Sequence, residues 1–416
     1  MKQNPKTRFS LRFITRFVAV IIILGGIGTA VYAAYSSSNK IDTKQVFSDR
    51  TMLSGLWNSY KKEYWESSTG RTLDKQSNNI TTSEGQSYTM LRSVWESDKT
   101  TFDSSWAWTQ QQLQRSDKLF SWKWGLKSDK TYGVLTDIGG QNTASDADSD
   151  IALALIMAAS KWQQVSYLND AKAIIASIWK TEVVTINGLP YYAANDLEKP
   201  SSKGYIIVNP SYISPYEYRI FAGLDKTPGH DWNLLVTSSY ALLNTAIESN
   251  LDQTSSAKLI PDWVTVSTKD GSISAPTAAE PTYKTTYGYE AFRAPFRLAL
   301  DYQWNKSEAA KSTLSKLSYL GEQWSANQKL APIYSHDGLA KADYESSGAY
   351  GGDIGYFIVA NPAQAARVYD KKLKYLYDAN KNAFSQHLSY YDSNWAWFGM
   401  ALYTNQLDNL AMPHSN

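Results

Sequence analysis

Apolar residues recur at i, i+3/i+4 and i+7 through ten successive stretches of this chain, separated by polar loops rich in Gly, Ser, Asn and Asp. That rhythm excludes most sheet architectures. It predicts helices over Phe47–Tyr64, Gln86–Ser97, Thr101–Arg115, Asp146–Ser160, Tyr167–Thr181 and Trp232–Ser249. It predicts four more over Tyr289–Trp304, Ser307–Ala326, Pro362–Ala379 and Ser389–Thr404. In one of them the stripe Ile151, Leu155, Ala158 runs on to Trp162. Strand-like alternation is best in Glu182–Ile186 and Tyr205–Val208, both read as short hairpin arms. Serial helices with neither a heptad nor a solenoid repeat imply an all-α fold of paired helices. No Pro- or Gly-rich break divides residues 45–416, so one domain is expected there. A body of that size buries a core without staples, and the chain has no cysteine.

Charge is unevenly spread. The 41 Lys and Arg against 39 Asp and Glu give +2, but Lys2, Lys6, Arg8, Arg12 and Arg16 come first and no acid precedes Asp42. Without residues 1–35 the body is close to −3. That excludes a basic nucleic-acid surface as its main theme, because phosphate binding needs clustered cations. Phe17–Tyr35 is a 19-residue uncharged run, just long enough as a helix to span about 30 Å of hydrocarbon. The cations before it predict a signal-anchor with residues 1–16 in the cytoplasm and the body outside the cell membrane. The rival reading is a cleaved signal peptide ending near Val31-Tyr32-Ala33, which would release the body. Residues 36–44 read as a polar linker.

Trp and Tyr are abundant, at 15 and 29 residues. Trp106 and Trp108 in SSWAWTQQQ, and Trp122 and Trp124 in FSWKWG, lie in polar surroundings. Flat rings beside hydrogen-bonding side chains suit sugars, whose C–H faces stack on aromatics. Core packing is the plainer explanation, and more than half of these residues are assigned to it.

Four scattered histidines offer no metal spacing, and no nucleophile elbow, phosphate loop or dinucleotide turn is present. No metal or cofactor is therefore expected, and acid–base chemistry falls to carboxylates. Glu84 opens an amphipathic helix, where the dipole lowers a carboxylate's pKa. It is either an ordinary first-turn Glu or an acid kept protonated by burial or a second carboxylate. Asp146, Asp148 and Asp150 precede IALALIMAASKW and read as a cap and acidic first turn. One cap cannot satisfy both Asp146 and Asp148, so one of them is free to face a ligand hydroxyl. Glu290 is followed by Arg293 and Arg297, which would orient it as a base or simply pair with it on a surface helix.

These segments, in this order, resemble glycoside hydrolase family 8, which includes cellulases, lichenases, xylanases and chitosanases. Ala144–Trp162, ASDADSDIALALIMAASKW, matches that family's signature throughout. Ser83–Tyr88 is similar to the segment carrying its general acid, and Asn209–Tyr212 to a substrate-contacting segment. Pro261–Val264 precedes the base-bearing helix as in relatives, and Tyr390–Asp392 resembles the closing helix. The resemblance spans roughly residues 45–405. It implies an (α/α)6 barrel with a cleft for a β-1,4-linked glycan, cleaved with inversion; the enzyme is expected to be endo-acting and monomeric. By carry-over Glu84 is the acid, Asp146 or Asp148 holds the distorted sugar and its water, and Glu290 is the base. Asp148, Trp122, Tyr212, Tyr289, Arg293 and Tyr391 are the implied substrate contacts. One position departs: many relatives carry Asp where Glu290 stands, so Asp231, Asp262, Asp343 and Glu345 stay open as alternative bases.

Overall fold

The computed structural model describes residues 43–199 and 202–411. The basic tail, the apolar run Phe17–Tyr35 and the linker up to Asp42 lie outside the described residues. The chain divides into two compact units, Met1–Arg50 and Thr51–Asn416. Of the first, residues 43–50 are described and are helical, so the linker ends before Thr43 rather than at Lys44. Among the described residues no helix is long and apolar enough to cross a membrane.

Thirteen α-helices are described. They are α1 (Thr43–Tyr64), α2 (Ser83–Trp95), α3 (Lys99–Gln112), α4 (Ser145–Trp162), α5 (Val165–Glu182), α6 (Pro215–Leu224) and α7 (Trp232–Glu248). The rest are α8 (Arg293–Asn305), α9 (Glu308–Ser315), α10 (Ser318–Asn327), α11 (Ser347–Ala360), α12 (Pro362–Val368) and α13 (Tyr390–Tyr403). Helices α2, α4, α6, α8, α11 and α13 each pack on the next in that order. Side chains close the series back on itself: Tyr88 of α2 meets Trp395 and Phe398 of α13 edge-on, at 5.7 and 5.4 Å between ring centres. Each of the first five also packs on the helix that follows it in sequence. The last is backed by α1, whose Leu53 carbonyl accepts the Trp397 indole N–H at 3.0 Å.

Two helices escape the periodicity, α6 and α11. In α11, SGAYGGDIGYFIVA, the glycines lower helix propensity and hide the pattern. They are required by close approach. A Cβ on Gly351 would collide with the Trp395 carbonyl of α13, and one on Gly352 with the Phe292 carbonyl ahead of α8. The expected helix from Tyr289 begins instead at Arg293, leaving Glu290 in the preceding turn. Pro295 explains the shift: lacking an N–H, it is tolerated in the first turn and would break a helix begun earlier. The stretch Ser307–Ala326 splits into α9 and α10. Pro362–Ala379 stops as an α-helix at Val368 and widens through Tyr369–Leu373, where Tyr369 stacks on Tyr403 at 3.9 Å.

Short strands fill the loops. Val183–Ile186 pairs with Leu189–Tyr192 as a hairpin. Tyr205–Val208 pairs instead with distant Val264–Ser267, which corrects its reading as a hairpin arm. Trp106, Trp108 and Trp124 belong to the core, 6–8% exposed, with Trp106 against Phe120 and Trp108 edge-on to Trp124. Their polar neighbours Ser105 and Thr109 are buried with them and hydrogen-bonded, the Thr109 hydroxyl donating to the Ser105 carbonyl at 2.7 Å.

Candidate active site

Glu84 stands in the first turn of α2. The strand Thr81–Thr82 pairs with Lys123–Trp124, the Ser83 N–H reaches the Trp122 carbonyl at 3.0 Å, and the Thr82 hydroxyl caps the helix at the Gly85 N–H, 3.0 Å. These contacts leave the Glu84 side chain pointing inward, 22% exposed. Its Oε1 accepts from the Tyr390 hydroxyl at 2.7 Å and its Oε2 from Arg293 Nη1 at 3.0 Å. Burial pushes its pKa up to about 7; Arg293 opposes this and neighbouring Asp146 reinforces it.

The same Arg293 nitrogen donates to Asp146 Oδ2 at 3.0 Å. Asp146 is 2% exposed at the start of α4, and burial raises it to about 6 against the pull of Arg293 and Arg297. Arg293 Nη2 bonds Glu290 Oε2, and Asn209 Nδ2 bonds that same oxygen at 2.8 Å. One guanidinium, itself 1% exposed, therefore gathers three carboxylates from three separate helical neighbourhoods. Glu84 and Glu290 are thus held on the two terminal nitrogens of one guanidinium. Glu290 is the most open of the three, at 34%.

Several expected contacts stand around this cluster. The Tyr212 ring lies under Arg293 at 5.1 Å, with Trp263 at 5.9 Å beyond it. The Tyr391 hydroxyl donates to the Tyr289 carbonyl at 2.6 Å, which braces the turn carrying Glu290. Trp122 is half-buried, its indole N–H on the Gly139 carbonyl at 2.9 Å.

Two expectations need correction. Arg293, expected to touch the substrate, has 1% of its side chain exposed and its guanidinium taken up by three carboxylates. Asp148 has no exposed surface; its Oδ1 accepts the Phe120 N–H at 2.9 Å, and Glu182 is its buried carboxyl neighbour. Successive residues of a helix diverge by about 100°, so Asp146 and Asp148 cannot share one target. Asp150, one turn on from Asp146 and on the same face, makes a bidentate pair with Arg297 at 2.9 and 2.8 Å.

Of the alternative bases, Asp231 caps α7 at the Leu234 N–H, 2.9 Å. Glu345 pairs with Lys372 and Tyr350, and Asp343 lies exposed on the same loop. Asp262 alone approaches the cluster, but its Oδ1 is occupied by the N–H groups of Gly288 and Ala291 at 3.0 and 2.8 Å, and its Oδ2 by Thr286 at 2.6 Å. Burial raises it to about 7. It buttresses the turn of Glu290. Sequence reasoning left Asn209 and Tyr390 without roles, although both lie in segments it had marked.

A carboxyl raised toward neutrality beside an oriented carboxylate is a pairing suited to general acid–base chemistry. The comparisons agree. Residues 28–402 match the model of "Glycosyl hydrolases family 8". The chain is 32% identical over 198 residues to an endoglucanase of Pseudomonas fluorescens SBW25, covering 45% of this chain and 47% of that one. It is 32% identical over 218 residues to an endoglucanase of Escherichia coli K12, covering 50% and 53%. The chain thus spans about half the length of these curated relatives. Among solved structures, a β-1,3-1,4-glucanase from Paenibacillus sp. X4 superposes with TM-score 0.71 at 22% identity, over 88% of this chain and 94% of that one. An endo-1,4-D-glucanase from Vibrio fischeri ES114 gives 0.68 at 23% identity, over 83% and 94%. With a family match running through the segments that carry Glu84, Asp146 and Glu290, the chain belongs to glycosyl hydrolase family 8.

Proposed function

We propose that this chain is an endo-acting hydrolase of a β-linked glucan, built on an (α/α)6 barrel and cleaving with inversion. The single observation that carries the reading is the Arg293 guanidinium shared by Glu84, Asp146 and Glu290. Relatives named endoglucanase support the substrate class. Below about pH 7 Glu84 holds its proton and delivers it to the departing glycosidic oxygen. Glu290, steered by Arg293 and Asn209, takes a proton from the water that attacks the anomeric carbon from the opposite face. Inversion of this kind calls for a separation of about 6.5–9.5 Å between the two carboxyl groups, room for that water. Asp146, behind the gap, keeps Arg293 and Glu84 in register. The apolar run Phe17–Tyr35, acting as an anchor, would hold the catalytic body outside the membrane where a surface polysaccharide emerges.

A second reading is a glycan-binding protein without hydrolysis, favoured by Glu290 standing where many relatives carry Asp. Reducing ends released from soluble β-glucan, with proton NMR of the first anomer formed, separate the two. Hydrolysis is expected to release the α-anomer, and Glu84→Gln to lose on the order of 10²–10⁴-fold in rate while binding persists. Binding without any product from the unaltered protein would establish the second reading instead.

A further inference from the structure

Glu182, the last residue of α5, has no exposed surface, and neither has Asp148 of α4. Each carboxyl has one oxygen satisfied. Asp148 Oδ1 accepts the Phe120 N–H at 2.9 Å, and Glu182 Oε1 accepts the Thr143 hydroxyl at 2.6 Å. The other two oxygens, Asp148 Oδ2 and Glu182 Oε2, are buried without a donor, and the side chains stand within hydrogen-bond reach of each other. Arg115, bonded to Asp196 at 2.6 Å, acts on Asp148 through space, while Asp196 and Asp146 add negative charge beside Glu182.

Two ionised carboxylates would repel at such a contact, and each facing oxygen would lose a hydrogen bond. One proton between them removes both costs. Burial lifts both groups above the usual carboxylate range, Glu182 to about 7, and Glu182 itself raises Asp148 further.

The pair also stands where the acid cluster is fixed. Asp148 lies two residues beyond Asp146 at the start of α4. The Phe120 N–H that it holds comes two residues before the Trp122 carbonyl, which receives the Ser83 N–H beside Glu84 at 3.0 Å. On the other side the Glu182 carbonyl accepts the Ala193 N–H at 2.9 Å. Ser145, next to Asp146, donates its hydroxyl to the Ala193 carbonyl at 2.7 Å.

We propose that Asp148 Oδ2 and Glu182 Oε2 share a single proton, and that this bridge positions Asp146 and Glu84. Both are positioning residues and neither touches the glycan. Their part in catalysis rests on the hydrolase reading.

Amide variants test the bridge, because the outer donors fix which way an amide faces. In Asp148→Asn the amide oxygen must meet the Phe120 N–H, so its nitrogen faces Glu182 and replaces the bridging O–H. In Glu182→Gln the Thr143 hydroxyl holds the amide oxygen and turns the nitrogen toward Asp148. Each single amide variant is expected to keep kcat within about threefold of the parent, whereas Asp148→Ala should lose about tenfold in kcat with KM little changed. Combining Asp148→Asn with Glu182→Gln sets two donors against each other. The unfolding constant of that variant should exceed the product of the single changes about tenfold. Each single amide variant should also flatten the fall of stability with rising pH above about pH 4, where the folded parent keeps a proton that its unfolded chain releases. Additive effects in the combined variant, a single amide as damaging as Asp148→Ala, an unchanged kcat in Asp148→Ala, or parallel pH slopes would each overturn the proposal. A parent that hydrolyses no glucan would instead strike the hydrolase reading, and the urea unfolding measurements would still decide the bridge.

Discussion

Tyr390 donates its hydroxyl to Glu84 Oε1 at 2.7 Å, across 306 positions of sequence. The bond favours the ionised form of Glu84 and so opposes the rise caused by burial. Tyr390→Phe should therefore raise the Glu84 pKa and move the alkaline limb of the kcat/KM profile to higher pH. The maximal rate should fall about tenfold as the carboxyl loses its orientation. A profile that keeps its alkaline limb in place would show that Glu84 does not set it.

Asp353 on α11 is buried beside Tyr287, whose hydroxyl donates to its Oδ1, and burial raises its pKa to about 7. A carboxyl that binds its proton more tightly when folded lowers stability as pH rises between its unfolded value of about 3.9 and its folded one. Below that window both states are protonated and nothing is lost. Asp353→Asn should remove up to one proton of linkage, about 1.4 kcal/mol per pH unit, from the slope between about pH 4 and pH 7. Urea unfolding across that range checks it; parallel slopes for the two proteins would refute the assignment.

Gly351 faces the Trp395 carbonyl of α13, and the meeting leaves no room for a Cβ. Gly351→Ala should cost at least about 1–3 kcal/mol through overpacking. Gly223, near the end of α6, has nothing within 4 Å of the point where a Cβ would stand. Gly223→Ala should be neutral or stabilise by up to about 1 kcal/mol. Thermal unfolding of the two variants side by side distinguishes a packing requirement from simple helix propensity.

Much of this protein could be read locally. Helices such as α2, α4, α5 and α7 declare themselves because apolar periodicity is a property of neighbouring residues, and a helix hydrogen-bonds only to itself. Glu84, Asp146 and Glu290 could be marked as candidates, because a chain with neither cysteine nor spaced histidines leaves acid–base chemistry to carboxylates and the family resemblance points to these three. Pro295 even held the signal that Glu290 lies ahead of its helix, had its place in the first turn been weighed.

The rest depended on contacts between remote residues. Arg293 meets Asp146 and Glu84 from 147 and 209 positions away, and no spacing rule reaches that far. Burial, which lifts Glu84 to about 7, exists only once the helices close around it. Asp148 was separated from Asp146 by the turn of a single helix, and Trp106, Trp108 and Trp124 were withdrawn into the core by packing. Helix α11 formed against its glycines because proximity to Trp395 and Phe292 outweighs propensity. Sequence alone determined which carboxylates are candidates for the chemistry and that most of the body is helical. Tertiary structure decided which of them meet, and with what charge, because desolvation and Coulomb terms act through space and not along the chain.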